Sequence, residues 1–256
     1  MTKHLNLLVC WAYTLLSIKA TALDTINYIS TSQSLLYAVR TSESTQHYID
    51  DVQTANISVL QQQLSTDAQR KAFWLNIYNA YVQKLLQEAP ERYKKRNTFF
   101  TDKQIVIAGK RLSLDDIEHG ILRRSKIKWS LGYFNKLFPD TYEKKFRVDS
   151  VDYRIHFALN CGAKSCPPIA YYAPEKIEQQ LELATKNYLK NEVTYNREEN
   201  IVYVPAIMGW FRADFGGKKG IKKLLEKHAL LPAGVNPVIK FKPYDWTLFL
   251  NNYKIE

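Results

Sequence analysis

Arg154-Ile-His-Phe-Ala-Leu-Asn-Cys-Gly-Ala-Lys-Ser-Cys-Pro-Pro168 decides how this 256-residue chain is read. Its first half is apolar on both faces, which predicts a central strand over 153–159. A loop of small residues follows, carrying Asn160, Cys161, Ser165 and Cys166. Apart from Cys10, Cys161 and Cys166 are the only thiols in the chain. In a regular strand Arg154, His156, Ala158 and Asn160 share one face and Cys161 lies on the other. Cys161 then points away from His156, and a histidine from a separate element is the better partner for it.

His119 is that histidine. Ser113 followed three residues later by Asp116 marks a helix start. On this helix Asp115 and His119 stand four apart, as do His119 and Arg123, so each pair can touch. Glu118 is adjacent in sequence and points about 100° away. Upstream, 67–88 is the clearest helix, with apolar residues at helical spacing and Pro90 to stop it. Asn76 and Asn79 share one face of that apolar element. A buried amide without a partner costs about 1–3 kcal/mol, so the pair either clamps a neighbouring loop or faces a pocket.

The remaining elements follow from punctuation. Residues 104–111 read as a hairpin around Ala108-Gly109. Pro174 starts a helix running to about Lys190, and 192–195 with 201–204 form a second hairpin. Helical material resumes over 205–211, Gly216-Gly217 breaks it, a basic helix covers 218–228, and 238–241 is a last strand. Helices and strands interleave without a βαβ rhythm, which predicts an α+β fold: a single compact domain with a small mixed sheet surrounded by helices.

Residues 1–22 have the pattern of a signal peptide. Lys3 and His4 precede an apolar run from Leu5 to Ile18, and Ala20-Thr21-Ala22 supplies the small residues before a cleavage site. The run is too short for a bilayer span, which needs roughly 20 residues. The expectation is export to the periplasm or the extracellular space, with cleavage near Ala22. Residues 23–64 form an N-terminal helical region that packs around the core or projects as an arm, and 65–256 form the principal domain. Export removes Cys10 and leaves Cys161 and Cys166 in a compartment that permits disulfides. The net charge of +11 suits weak association with anionic surfaces. The basic runs are scattered, with no aromatic platform or helix-turn-helix pattern, so no nucleic-acid partner is expected.

Five blocks, Ala72-Phe-Trp-Leu-Asn-Ile-Tyr-Asn-Ala80, Leu114-Asp-Asp-Ile-Glu-His-Gly-Ile-Leu-Arg123, His156 to Pro168, Trp210-Phe-Arg-Ala-Asp-Phe215 and Tyr244-Asp-Trp246, occur in that order. Together they resemble the signature blocks of the domain of unknown function 547 (DUF547) family. The resemblance implies that Asn76, Asn79, Glu118, His119, Arg123, His156, Cys161, Ser165 and Pro167 are signature positions. It also implies that Cys161, rather than Cys166, is the chemically essential sulfur.

Several functions fit. The first is thiol catalysis of acyl hydrolysis or transfer. Cys161 is the nucleophile, His119 lowers its pKa or takes its proton, and Glu118 or Asp115 orients the imidazole. Gly162-Ala163 would leave backbone N–H groups for an oxyanion. Asn76, Asn79, Arg123, His156 and Ser165 are candidates for binding an acyl, peptide or anionic ligand. This inventory is similar to that of papain-like and transglutaminase-like enzymes, although their cysteine usually opens a helix. The alternatives are a noncatalytic binding module with structural cysteines, a redox or structural Cys-x4-Cys pair, and a metal site built from Cys161, Cys166, His119 and His156. No cofactor or metal is expected.

Overall fold

The computed structural model describes residues 26–254; the expected signal segment and Cys10 lie outside them. Three helices come first: α1 (Tyr28–Thr41), α2 (Gln46–Gln53) and α3 (Ile57–Gln63). Asparagine side chains cap α1 and α3, Asn27 accepting from the Ser30 N–H and Asn56 from Ser58 and Val59. Leu35, Leu36, Val52, Leu60 and Leu64 are almost completely buried in the main core. The region 23–64 therefore contributes to the core as far as it is described.

The fourth helix, α4 (Asp67–Glu88), opens with a reciprocal Thr66–Gln69 capping box. From Lys71 to Gln83 every side chain is buried, as expected of a helix surrounded by packing partners. A 3₁₀ turn (Pro90–Lys95) leads to α5 (Arg96–Thr101). Strands β1 (Ile105–Ile107) and β2 (Lys110–Leu112) form the expected hairpin in antiparallel register. Ala108 and Gly109 adopt φ of 48° and 74°, the left-handed pair that a two-residue turn requires.

Ser113 and Asp116 cap each other as expected, each side chain bonding the other's backbone N–H at 2.9–3.0 Å. The helix they open is a π-helix over Asp116–Leu122, with the Arg123 N–H donating to the Glu118 carbonyl five residues back. Such wide turns are uncommon and often mark functional sites. After α6 (Thr141–Phe146) comes the main correction. Tyr153–Phe157 is a 3₁₀ helix rather than a strand. Asp152 accepts from the Arg154 N–H and fixes a helical start; burial of Ile155 and Phe157 accounts for the apolar pattern, which periodicity cannot distinguish from a buried strand. The two-face parity assigned to His156 and Cys161 falls with the strand.

Helix α7 (Ile177–Glu192) starts just after Pro174, which stays in the preceding turn. Strands β3 (Thr194–Asn196), β4 (Ile201–Val204) and, after helices α8 (Ile207–Trp210) and α9 (Gly217–Lys227), β5 (Val238–Phe241) form one sheet. β4 is central, antiparallel to β3 and parallel to β5. The fold is α+β, a single compact domain with two small sheets. One apolar core surrounds α4, and a second joins the mixed sheet, α9, Phe157 and Phe215. The C-terminal segment returns across the Cys161 loop: Lys164 donates to the Thr247 carbonyl and Phe249 to that of Gly162, both at 2.8 Å. No helix among the described residues is long and apolar enough to cross a membrane.

Candidate functional site

A cavity of about 510 Å³ lies where the π-helix, the Cys161 loop, α8 and the C-terminal segment meet. Cys161, His119, Glu118, Asp115 and His156 all line it. The four catalytic candidates drawn from two distant parts of the chain thus share one chamber.

The Cys161 side is built by asparagines. Asn79 grips the backbone of the loop, donating to the Ala158 carbonyl (3.0 Å) and accepting from the Asn160 N–H (2.9 Å). Asn76 does the same to Tyr172, at 2.9 Å in each direction. Both amides are fully buried and outside the cavity lining. Of the two roles open to them, clamping is the one seen, and the ligand-binding role is corrected. Asn160 completes the loop by accepting from the Gly162 N–H (2.9 Å) and donating to the Pro167 carbonyl (2.8 Å). Gly162 has φ 84°, and a Cβ there would come within 2.8 Å of Leu86, so glycine is required. The Gly162 N–H is taken by Asn160. The expected oxyanion site therefore lacks that amide. Ser165 also turns away from the cavity, its hydroxyl accepting from the Asp245 N–H at 2.9 Å. Cys161 opens no helix.

The sulfurs of Cys161 and Cys166 are free thiols 2.6 Å apart. The Tyr244 hydroxyl touches both, at 3.3 Å and 3.1 Å. The Cys166 S–H bond to Cys161 lowers the Cys161 pKa, and Tyr244 assists. Burial and the neighbouring sulfur push the Cys166 thiol well up. Within this pair Cys161 is the sulfur that ionises, and it is the one that faces the cavity.

The opposite side is a buried charge network. Arg123 donates to Asp214 from Nε (2.6 Å) and from Nη2 (3.2 Å), with both side chains fully buried. His156 Nε2 lies 2.9 Å from the same carboxylate, and its ring stacks on Phe211 at 4.0 Å. Burial alone would raise the Asp214 pKa; His156 and Arg123 outweigh it and hold the carboxyl below its usual range. Burial lowers the His156 pKa.

Arg123 also places Nη1 2.9 Å from His119 Nδ1. A guanidinium can only donate, so Nδ1 accepts and the neutral ring carries its proton on Nε2. Burial and Arg123 push the His119 pKa well below normal. Nε2 stands 3.6 Å from Asp115, whose carboxylate binds Lys128 at 2.7 Å. Burial raises Asp115 against the pull of Lys128. The sulfur of Cys161 bonds Cys166 and Tyr244 rather than His119. A base role for His119 is thus opposed by its own bond to Arg123. Glu118, expected to point away, turns in: its carboxylate is 3.8 Å from His119 Nδ1 and 3.2 Å from the Tyr78 hydroxyl. Burial raises its pKa to about 7.

Three functional residues escaped the sequence reading: Asp214, Tyr244 and Tyr78. All stand in the quoted blocks, and the lone acid of Trp210-Phe-Arg-Ala-Asp-Phe215 was the available signal, since a buried arginine beside two histidines needs a counter-charge. Among the described residues no group of three or more His, Cys, Asp or Glu side chains is arranged to hold a metal.

A family model, "Protein of unknown function, DUF547", matches residues 61–189. The chain belongs to the DUF547 family. The matched span contains α4, the π-helix and the Cys161 loop, and it ends before Asp214, which backs the site through Arg123 and His156, and before Tyr244, which lines the cavity. No curated protein and no solved structure gives a significant match.

Proposed function

We propose that this DUF547 protein is an exported cysteine-dependent hydrolase or acyltransferase with Cys161 as its nucleophile. One observation carries the reading: an ionisable sulfur, polarised by Cys166 and Tyr244, opens into the cavity that holds Glu118, with a pKa near neutral, and His119. The Cys161 sulfur attacks an acyl carbon, and its proton passes to the Glu118 carboxylate. The neutral His119 Nε2–H donates to the developing oxyanion, a role suited to a ring whose other nitrogen is tied to Arg123. Arg123, bonded to Nδ1, orients that ring. As the tetrahedral species collapses, the bond to the leaving group breaks and Glu118 returns the proton to it. Water, or an acceptor amine or alcohol, then attacks the thioester, giving its proton to Glu118, and the Cys161 sulfur leaves and takes that proton back from Glu118.

The second reading, a noncatalytic module for a peptide or anionic ligand, draws on the aromatic wall of the cavity. Trp210 and Trp246 stack at 5.5 Å, and the Arg96 guanidinium lies 4.9 Å from the Trp246 ring centroid. Such a wall holds a ligand without a reactive sulfur.

Alkylation by iodoacetamide as a function of pH separates the two. Cys161 is expected to label at a lower pH than an ordinary thiol and to lose that advantage in Cys166→Ala, while Cys161→Ala removes the fast phase. Thiols that label only after unfolding would sink the enzyme reading. The mass spectra from protein made in secretion-competent cells also read the N-terminus, expected at Leu23. Retention of residues 1–22 would sink export.

A further inference from the structure

The loop 128–138 carries an unusual surface. Trp129, Leu131, Tyr133, Phe134, Leu137 and Phe138 are all exposed, Leu137 by 87% and Phe138 by 93%. Scattered exposed apolar residues are ordinary, whereas six within ten positions form a patch of the kind that marks an interaction site. The backbone beneath them is pinned. Ile127 donates to the Phe134 carbonyl (3.0 Å), Lys136 to that of Ser125 (2.7 Å), and Ala213 to that of Leu131 (2.9 Å). The Ser130 hydroxyl closes the turn from inside, donating to the Ile127 carbonyl at 2.7 Å. The loop therefore presents its rings outward from a fixed frame.

Positive charge borders it on both sides. Arg124 precedes the loop; Lys144 and Lys145 follow on α6. Lys218 and Lys219 open α9, beside the point where the Tyr133 hydroxyl approaches Gly217. All five are exposed. The nearby acids are already neutralised: Asp115 by Lys128, Asp140 by Lys110 and Glu143 by Lys136. Aromatic and aliphatic tips surrounded by free cations match the boundary of an anionic bilayer, where rings sit at headgroup depth and lysines meet phosphates. A polypeptide groove would half-bury its lining, whereas Leu137 and Phe138 are almost fully exposed. Trp129 and Leu131 also form one lip of the cavity.

We propose that loop 128–138 is a membrane-docking surface that seats the protein on anionic lipid with the cavity mouth turned toward the bilayer. Docking does not depend on the chemistry of Cys161. The association is interfacial and reversible, driven by burial of the exposed side chains together with attraction to headgroup phosphates.

Vesicle flotation tests it with the purified chain, its N-terminus defined by mass. The wild-type protein is expected to float with vesicles of equal phosphatidylglycerol and phosphatidylcholine, and to float far less with phosphatidylcholine alone or in 0.5 M salt, as screening predicts. Leu137→Ser with Phe138→Ser should weaken partitioning at least about tenfold, since two large apolar contacts are removed. Their exposure leaves the fold untouched, and an unchanged melting temperature checks this. Lys144→Glu with Lys145→Glu should weaken binding to the anionic vesicles alone. Failure of the wild type to float overturns the proposal, as does equal binding to both vesicle types. Flotation unchanged in the Leu137/Phe138 variant would assign membrane contact elsewhere, to residues 1–22 for example, and also overturns it. Concentration-dependent dimers abolished by that variant, without vesicle binding, would identify a second copy as the true occupant. Loss of Cys161 reactivity alone leaves docking standing, so the two readings fail separately.

Discussion

The two sides of the cavity are built on opposite principles. On one, Arg123, Asp214, His156 and His119 form a buried, charged network whose members satisfy one another through side chains. On the other, Cys161, Cys166 and Tyr244 carry no fixed charge and sit on a loop held by asparagine bonds to backbone. The difference shows where chemistry can occur. A side chain with every polar atom committed is a fixed part of the frame, whereas a thiol sharing one proton with its neighbours can change state. His119 belongs to the frame at Nδ1 and remains available only at Nε2. Glu118 stands between the two sides, buried enough to be neutral at pH 6 and ionised at pH 8.

The largest expected effect comes from breaking the charged side. Asp214→Asn keeps the shape of the side chain and removes the carboxylate charge, leaving the fully buried Arg123 without a counter-ion. Loss of one partner from such a pair destabilises by roughly 3–5 kcal/mol, measurable by urea unfolding at pH 7. A loss below about 1 kcal/mol would mean that water reaches Arg123, and the contrast between a rigid and a reactive side would fail.

Glu118→Gln sharpens the same comparison by pH. The folded carboxyl has a pKa of about 7, raised from an ordinary 4.5 by burial. Below pH 4.5 both folded and unfolded states hold the proton, and ionisation has no effect on stability. Between about 4.5 and 7 the unfolded chain releases it first, so wild-type stability falls as pH rises, and above 7 the loss is complete at roughly 3 kcal/mol. The glutamine variant lacks this slope. The gain of the variant over wild type should therefore grow from pH 4.5 to 7 and then level off, while any acyl turnover is lost. A pH-independent difference would show that Glu118 is ionised throughout and cannot carry the proton.

The frame was far more legible in the sequence than the chemistry. Apolar residues at helical spacing and Pro90 announced α4, Ala108-Gly109 the first hairpin and Ser113 with Asp116 a helix start, because periodicity, caps and tight turns are local physics. The segment 153–157 was misread because a run buried on all sides satisfies a strand and a 3₁₀ helix equally. The π-turn that brings Glu118 beside His119 leaves no periodic mark over seven residues. Asp214 lies 91 positions from Arg123, and Tyr244 lies 83 from Cys161. Such pairs are made by tertiary packing, so Asn79 and Cys161 could be nominated from the sequence while their partners could not.

The smallest effect tests the reactive side. Tyr244→Phe removes one hydroxyl that touches both sulfurs and keeps the ring between Trp210 and Trp246, at 4.8 Å and 4.6 Å. The hydroxyl favours the ionised form of Cys161, so its loss should move the thiol pKa upward. A hydrogen bond of about 1 kcal/mol corresponds to a roughly fivefold slower alkylation at pH values well below the thiol pKa. The limiting rate at high pH should be unchanged, since the sulfur is then fully ionised with or without Tyr244. This split separates proton sharing from packing. If the rate falls equally at every pH, Tyr244 acts by shaping access to the sulfur, and the pair Cys161–Cys166 must set its ionisation without help from the C-terminal segment.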